Sequence, residues 1–181
     1  MDKNIILIGF RATGKTTIGK LLAKTLNKRF IDTDNLIERK VGKTISEIVA
    51  REGWPGFRKR EKAVIRELAK EKNLVLALGG GAVLDKENVE YLKKNGFFVW
   101  LKANSKTILQ RLKQDKKTTF QRPSLTGKPL EAEIKEVLKE RIPVYQDVAD
   151  KSIDTDKMCP KEIVRIILSW LKDGESITCR R

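Results

Sequence analysis

Gly9-Phe10-Arg11-Ala12-Thr13-Gly14-Lys15-Thr16 decides the architecture, because of what stands on either side of it. Before it runs Asn4-Ile5-Ile6-Leu7-Ile8, a continuous apolar stretch with the length and composition of a strand buried on both faces. After it, Ile18, Leu21, Leu22 and Leu26 recur at helical spacing over residues 15–26. The octapeptide fits the pattern G-x-x-x-x-G-K-[ST] letter for letter, at a strand-to-helix junction. Its glycines let the backbone curl so that successive N–H groups face phosphate oxygens, and the helix N-terminus adds partial positive charge. Gly9, Arg11, Ala12, Thr13, Gly14, Lys15, Thr16 and Thr17 are therefore expected around ATP, with Lys15 on the β- and γ-phosphates and the Thr16 hydroxyl on Mg²⁺.

Working outward, Phe30-Ile31-Asp32 forms a second strand, expected beside the first. Helical apolar spacing covers 34–42 and 44–52, and a longer helix spans about 57–72. The run Leu74-Val75-Leu76-Ala77-Leu78 is a third strand that stops at Gly79-Gly80-Gly81. Then come a helix near 85–94, a strand at 97–101, a helix at 105–114, a helix at 130–146, a strand near 149–154 and a helix at 160–173. The stretch 115–129 is polar, basic and broken by Pro and Gly, so it reads as a mobile loop. Residues 174–181 are expected to fray. Strands alternating with helices imply an α/β sandwich on a mainly parallel sheet. The length, 181 residues, suits a single domain spanning 1–181.

Composition removes several classes of function. There is no His, so Ser-His and Cys-His nucleophile systems and His-based metal sites are excluded. Cys159 and Cys179 lie far from any second partner motif, which argues against a disulfide framework or a structural zinc site. No apolar run approaches the roughly 18 residues of a membrane span, and no leader-like segment precedes the first strand. A cytoplasmic protein without a membrane partner is the expectation. The 39 Lys and Arg against 24 Asp and Glu give a formal charge of +15. These cations are scattered and interleaved with Glu, whereas nucleic-acid binders gather charge on one stripe, so a solvated surface with some steering of small anions is the preferred reading.

Three further groups carry chemistry. Asp32 and Asp34 bracket Thr33, and on a strand of period two they would share one side and face the cleft together. Asp34 is also a candidate helix N-cap. A phosphate-binding loop calls for one acid to hold the metal through water and another to orient or deprotonate the acceptor. Three successive glycines, Gly79 to Gly81, cost chain entropy and point to a close approach of backbone to ligand at the C-terminal end of a strand. Arg58 and Arg141 are unremarkable taken singly.

Taken together and in order, these segments resemble the shikimate kinase family over essentially the whole chain. The matching pieces are the loop at 9–17, Asp32-Thr33-Asp34, Phe57-Arg58-Lys59-Arg60-Glu61, Gly79-Gly80-Gly81, Arg122-Pro123, and Glu140-Arg141-Ile142-Pro143-Val144-Tyr145. The resemblance implies a nucleoside-monophosphate-kinase-like, three-layer P-loop core with a five-stranded parallel sheet. It further implies a helical substrate-binding region near 33–61 and a lid near 115–129. Shikimate, a small carbocyclic acid with three ring hydroxyls, requires cations for its carboxylate. Arg58 and Arg141 would clamp that group, since an Arg fork matches a carboxylate better than Lys does. Asp34 would accept from the hydroxyls and either act as base for the 3-hydroxyl or chiefly orient it. Phe57, Gly79, Gly80 and Gly81 would complete the substrate pocket, Gly80 and Gly81 through their backbone N–H groups. Mg²⁺ would be held by Thr16 and, through water, by Asp32. Arg122 would close over the phosphates, with Lys15, Asp34 and Arg122 forming the catalytic set. The adenine side falls to Arg111, Met158 and Pro160.

The chain also departs from the family pattern. Ser124 follows Arg122-Pro123 where the family more often has Leu, which is expected to turn an apolar wall of the pocket into a hydroxyl. The approach to Arg122 is longer than usual. Trp54-Pro55 reads as a turn capping the core beside Phe57. Among rivals, a nucleotide kinase would need several arginines and a polar base pocket between 33 and 61, where this chain offers Arg58 among Ile45, Val49 and Phe57. A gluconate kinase shares the core, and an ATP-dependent nucleic-acid module is suggested only by net charge. A monomer is the default.

Overall fold

A computed structural model of the chain describes residues 3–114 and 123–178. Five parallel strands form one sheet: β1 (Asn4–Ile8), β2 (Arg29–Asp32), β3 (Leu74–Ala77), β4 (Gly96–Lys102) and β5 (Lys151–Asp154), in the spatial order β2-β3-β1-β4-β5. Among the described residues the helices are α1 (Lys15–Leu26), α2 (Thr33–Val41), α3 (Ile45–Leu68), α4 (Lys86–Lys93), α5 (Ser105–Gln114), α6 (Leu130–Val148) and α7 (Pro160–Thr178). A short 3-10 turn, Ala82–Leu84, precedes α4. This is the expected α/β architecture, with one correction: β3, not β2, is the neighbour of β1 on that side. β1 and β3 are buried along their whole length, whereas β2 has only Ile31 fully buried. The more apolar strand takes the inner position and leaves β2 at the edge.

The strands' alternation divides the core into two layers. Ile6, Ile8, Leu74, Leu76 and Phe98 face one side and pack with Ile37, Ile48, Phe57, Ile65 and Tyr145 from α2, α3 and α6. Ile5, Leu7, Val75, Val99, Leu101 and Ile153 face the other and pack with Ile18 and Leu22 of α1 and Ile163, Ile167 and Leu171 of α7. The period of two along each strand is what sends successive side chains to opposite faces. A third cluster, Phe10 with Ile108, Leu112, Ile134 and Val137, joins α5 and α6 beside the loop after β1. The stripe of Ile163, Ile167 and Leu171 anchors α7, which runs past Gly174 to Thr178, into the stretch expected to fray.

Local signals set the helix ends that matter for the site. The Thr44 hydroxyl accepts from the Glu47 amide at 3.2 Å and the Glu47 carboxylate accepts from the Thr44 amide at 2.7 Å, a reciprocal cap that starts α3. The Glu38 carboxylate accepts from the Ile45 amide at 2.9 Å and ties α2 to that start. The two helices expected at 44–52 and 57–72 are both present within the span of α3, separated by a sharp kink at Gly53 with φ 68° and ψ 176°. That backbone state favours glycine and turns the chain sharply, so Trp54 and Arg58 emerge on the side of the sheet's C-terminal edge.

Candidate active site

The C-terminal ends of β1, β2 and β3 deliver the phosphate loop, the acidic pair and the three glycines to one edge, where open α/β sheets bind ligands. The loop is built as its sequence requires. Gly9 has φ 135°, and a Cβ there would stand 2.5 Å from the Leu101 carbonyl oxygen of the adjacent strand. Ala12 (φ 62°) and Gly14 (φ 94°) adopt left-handed conformations on either side of Thr13, whose hydroxyl donates to the Phe10 carbonyl at 2.8 Å. Gly14 precedes α1 and supplies no side-chain cap to its N-terminal amides. The Lys15 ammonium donates to the carbonyls of Gly9 and Phe10, each at 2.8 Å, and so lies along the loop.

The Thr16 hydroxyl donates to Asp32 Oδ2 at 2.8 Å, joining α1 to the end of β2. The reason for Asp32 and Asp34 facing the cleft together differs from the one expected. The strand ends at Asp32, which caps α2 by accepting from the Asn35 amide at 3.3 Å, and Asp34 sits in the first helical turn. Helix geometry, not strand alternation, brings Asp34 round, and Asp32 rather than Asp34 takes the capping position. Between them Thr33 accepts from the Gly79 amide at 3.0 Å, fixing α2 to the glycine turn.

Two cavities adjoin here. One, a solvent-open cleft of about 1470 Å³, runs over Gly14, Lys15, Thr16 and Thr17 to Arg111, Thr155, Met158 and Pro160. Arg111 is held at its far end by the Ala12 carbonyl at 3.2 Å and the Thr155 carbonyl at 2.6 Å. The other, about 460 Å³, is walled by Ile45, Trp54 and Phe57 and presents Arg58, Arg141 and the three glycines. Arg11 and Asp34 line both. The expected residues are thus brought together, and Arg122 lies outside the described residues.

The glycine turn is tight for a visible reason. A Cβ on Gly79 would stand 2.6 Å from Asp34 Oδ1 and 2.7 Å from Glu61 Oε1, and one on Gly81 would stand 2.4 Å from Arg58 Nη2. Any side chain there would displace the carboxylates or the guanidinium. Arg58 is fixed on three sides: Glu61 Oε2 at 2.5 Å, the Trp54 ring at 5.5 Å and the Phe57 ring at 5.3 Å. Glu61 is fully buried, and burial pushes its carboxyl up to about 7 against the opposing pull of Arg58. Across the turn, the Tyr145 hydroxyl donates to the Gly80 carbonyl. Burial drives that phenol up to about 12, with the positive charge of Arg141 opposing the rise, so it stays a donor at neutral pH.

Trp54 is therefore a cavity wall as well as a partner of the core, edge-on to Phe57 at 5.9 Å. The Ser124 hydroxyl does not become a wall of the pocket; it turns to Glu133, and Pro123 and Leu125 line the cavity instead. Glu61 could have been found from its i,i+3 spacing to Arg58. Glu133 could not, since its partner Arg11 is 122 residues away in sequence.

Comparison with known proteins agrees with this arrangement. The family model described as shikimate kinase matches residues 11–172. The chain is 47% identical over 175 residues to a shikimate kinase of Syntrophus aciditrophicus, covering 92% of this chain and 90% of that protein. It is 43% identical over 173 residues to shikimate kinase 2 of Yersinia enterocolitica, covering 96% and 98%. Among solved structures, shikimate kinase from Acinetobacter baumannii in complex with shikimate superimposes with a TM-score of 0.89 at 40% identity, over 96% of this chain and 95% of that one.

Proposed function

The chain belongs to the shikimate kinase family, and from that premise we propose how its two adjoining cavities carry out transfer of the γ-phosphate of ATP to the 3-hydroxyl of shikimate. The products are shikimate 3-phosphate and ADP, a step of the shikimate pathway toward chorismate and the aromatic amino acids. The observation that carries the division of labour is the sharing of Asp34 and Arg11 by both cavities. A hydroxyl held in the smaller cavity and a phosphoryl group held over the loop would meet at those two side chains.

ATP takes the open cleft, its phosphates on the amides at the start of α1 and on Lys15, its adenine toward Arg111, Met158 and Pro160. Shikimate takes the smaller cavity, its carboxylate between Arg58 and Arg141, its ring against Phe57 and Trp54, its hydroxyls on Asp34 and the glycine turn. Asp34 orients the 3-hydroxyl and accepts its proton as the oxygen attacks the γ-phosphorus in line. Because phosphoryl transfer calls chiefly for positioning and charge neutralisation, the fixed guanidinium of Arg58 and the pinned turn at Gly79 to Gly81 do much of what the chain can do for catalysis. Arg122 is assigned to the phosphates by the family resemblance.

The metal expected with ATP is Mg²⁺. Among the described residues no group of three or more His, Cys, Asp or Glu could hold a metal alone. The hydroxyl of Thr16 and the carboxylate of Asp32, hydrogen-bonded at 2.8 Å, form an oxygen-only donor pair of the kind Mg²⁺ uses together with substrate phosphates. Thr16 would hold it directly and Asp32 through water, and it would neutralise charge on the phosphates. No described helix is long and apolar enough to cross a membrane. The interleaving of Lys and Arg with Glu supports a reading without nucleic acid, and a monomeric cytoplasmic enzyme completes the proposal. A coupled ADP-release assay with ATP and Mg²⁺ tests the reading, with shikimate, quinate, gluconate and AMP as acceptors. Turnover confined to shikimate is expected, and turnover with gluconate or AMP in its place would overturn it.

A further inference from the structure

A buried carboxylate outside the expected catalytic set holds side chains that line the two cavities. Glu133, in the first turn of α6, is only 1% exposed. Its Oε1 pairs with the guanidinium of Arg11 from the phosphate loop. Its Oε2 accepts from the Ser124 hydroxyl, from the Leu125 amide at 2.8 Å and from the Thr126 amide at 3.3 Å. The Ser124 hydroxyl in turn accepts from the Gly127 amide at 2.8 Å, so the turn before α6 is wound around this one side chain. Burial works against the charge, but Ser124, Arg11 and the two amides together hold the carboxyl below its ordinary value. An uncharged residue could satisfy the turn or the guanidinium, but not both at full strength.

We propose that Glu133 is a positioning residue for both substrates: one oxygen aims Arg11 at the junction of the two cavities, and the other seats Leu125 over the acceptor. Arg11 lines both cavities, and Leu125 with Pro123 lines the acceptor cavity. The Arg11 guanidinium also lies 5.6 Å from the Phe10 ring, so its direction is set by Glu133 on one side and an aromatic face on the other. Ser124 then has a positive role in this chain, as the donor that a leucine at the same position could not supply.

The inference rests on ATP occupying the loop cleft and shikimate the smaller cavity, and the test separates its failure from failure of that reading. ATP affinity, measured directly by titration calorimetry without any acceptor, is compared for the wild type, Glu133→Gln, Arg11→Met and the double variant. If Glu133 acts on ATP through Arg11, each single variant weakens binding about threefold to tenfold and the double variant is no weaker than Arg11→Met. Multiplying effects in the double variant would overturn the coupling. Ser124→Ala is then assayed for turnover. It should raise the KM for shikimate about threefold or more while the KM for ATP stays within a factor of two. An unchanged KM for shikimate in Ser124→Ala, or equal rises in both KM values, would overturn the seating role. A wild-type enzyme inactive on shikimate would refute the substrate reading and still leave the ATP-binding cycle decisive for Glu133 and Arg11.

Discussion

Replacing Glu61 by Gln removes a carboxyl that the fold holds with Oε2 on Arg58 and with Oε1 buried and without a hydrogen-bond partner among the described residues. Burial raises this carboxyl from 4.5 to about 7, Arg58 opposes the rise, and Asp34 adds to it. Between those two pH values the folded protein carries a proton on Glu61 that the unfolded chain has released. The folded state binds more protons, so the contribution of Glu61 is present in full below pH 4.5 and is lost as the pH rises toward 7. At about 1.4 kcal/mol for each pH unit, the loss over that interval is about 3 kcal/mol. The glutamine amide does not titrate, so the difference in unfolding free energy between Glu61→Gln and the wild type should shift in favour of the variant by about that amount between pH 5 and 8. The measurement is urea unfolding of both proteins across that range. With a slope of about 2 kcal/mol/M, the two midpoints should move relative to one another by about 1–2 M. The lost Arg58 pairing shifts the curve of the variant alone, so the quantity compared is how the difference between the two proteins changes with pH, not its size at any one pH. Parallel pH profiles would refute the reasoning, because they would mean that the fold leaves the Glu61 carboxyl at its ordinary value.

Three further outcomes follow from the same geometry. Lys15→Ala should lower kcat at least about 100-fold in a folded protein, since it removes a cation placed for charge on the transferring phosphoryl group; near-normal turnover would remove Lys15 from the mechanism. Gly81→Ala puts a methyl 2.4 Å from Arg58 Nη2 and should raise the KM for shikimate well above that for ATP, with equal changes in steady-state kinetics arguing against Arg58 as the carboxylate clamp. Tyr145→Phe removes the buried hydroxyl that holds the Gly80 carbonyl and should cost about 1–3 kcal/mol of stability in chemical unfolding, whereas a loss below about 0.5 kcal/mol would show that the turn is pinned by other contacts.

Residues close together in sequence were legible without coordinates. The loop from Gly9 to Thr16, the helix it opens and the alternating α/β order rest on local rules: a buried strand reads as an apolar run, a helix as a spacing of three and four, and a phosphate loop as glycines before Lys and Thr. The grouping of Asp34, Gly79 to Gly81, Arg58 and Arg141 comes instead from the ordered resemblance to a family, since Arg58 and Arg141 carry no local signal of their own. Capping at Thr44 and the break at Gly53 are equally local. What required the tertiary structure was every relation between distant segments. Only packing put β3 between β1 and β2, because both orders satisfy the same alternation and the difference lies in which strand is apolar enough to be enclosed. Only the helix start at Thr33 decided how Asp34 reaches the cleft. Glu61 acquired its raised pKa, Trp54 its place over Arg58 and Ser124 its bond to Glu133 from neighbours that the chain supplies elsewhere. Charge, burial and hydrogen bonding act through space over a few ångströms, so a side chain's chemistry is set by whatever the fold places there, and sequence distance carries no record of it.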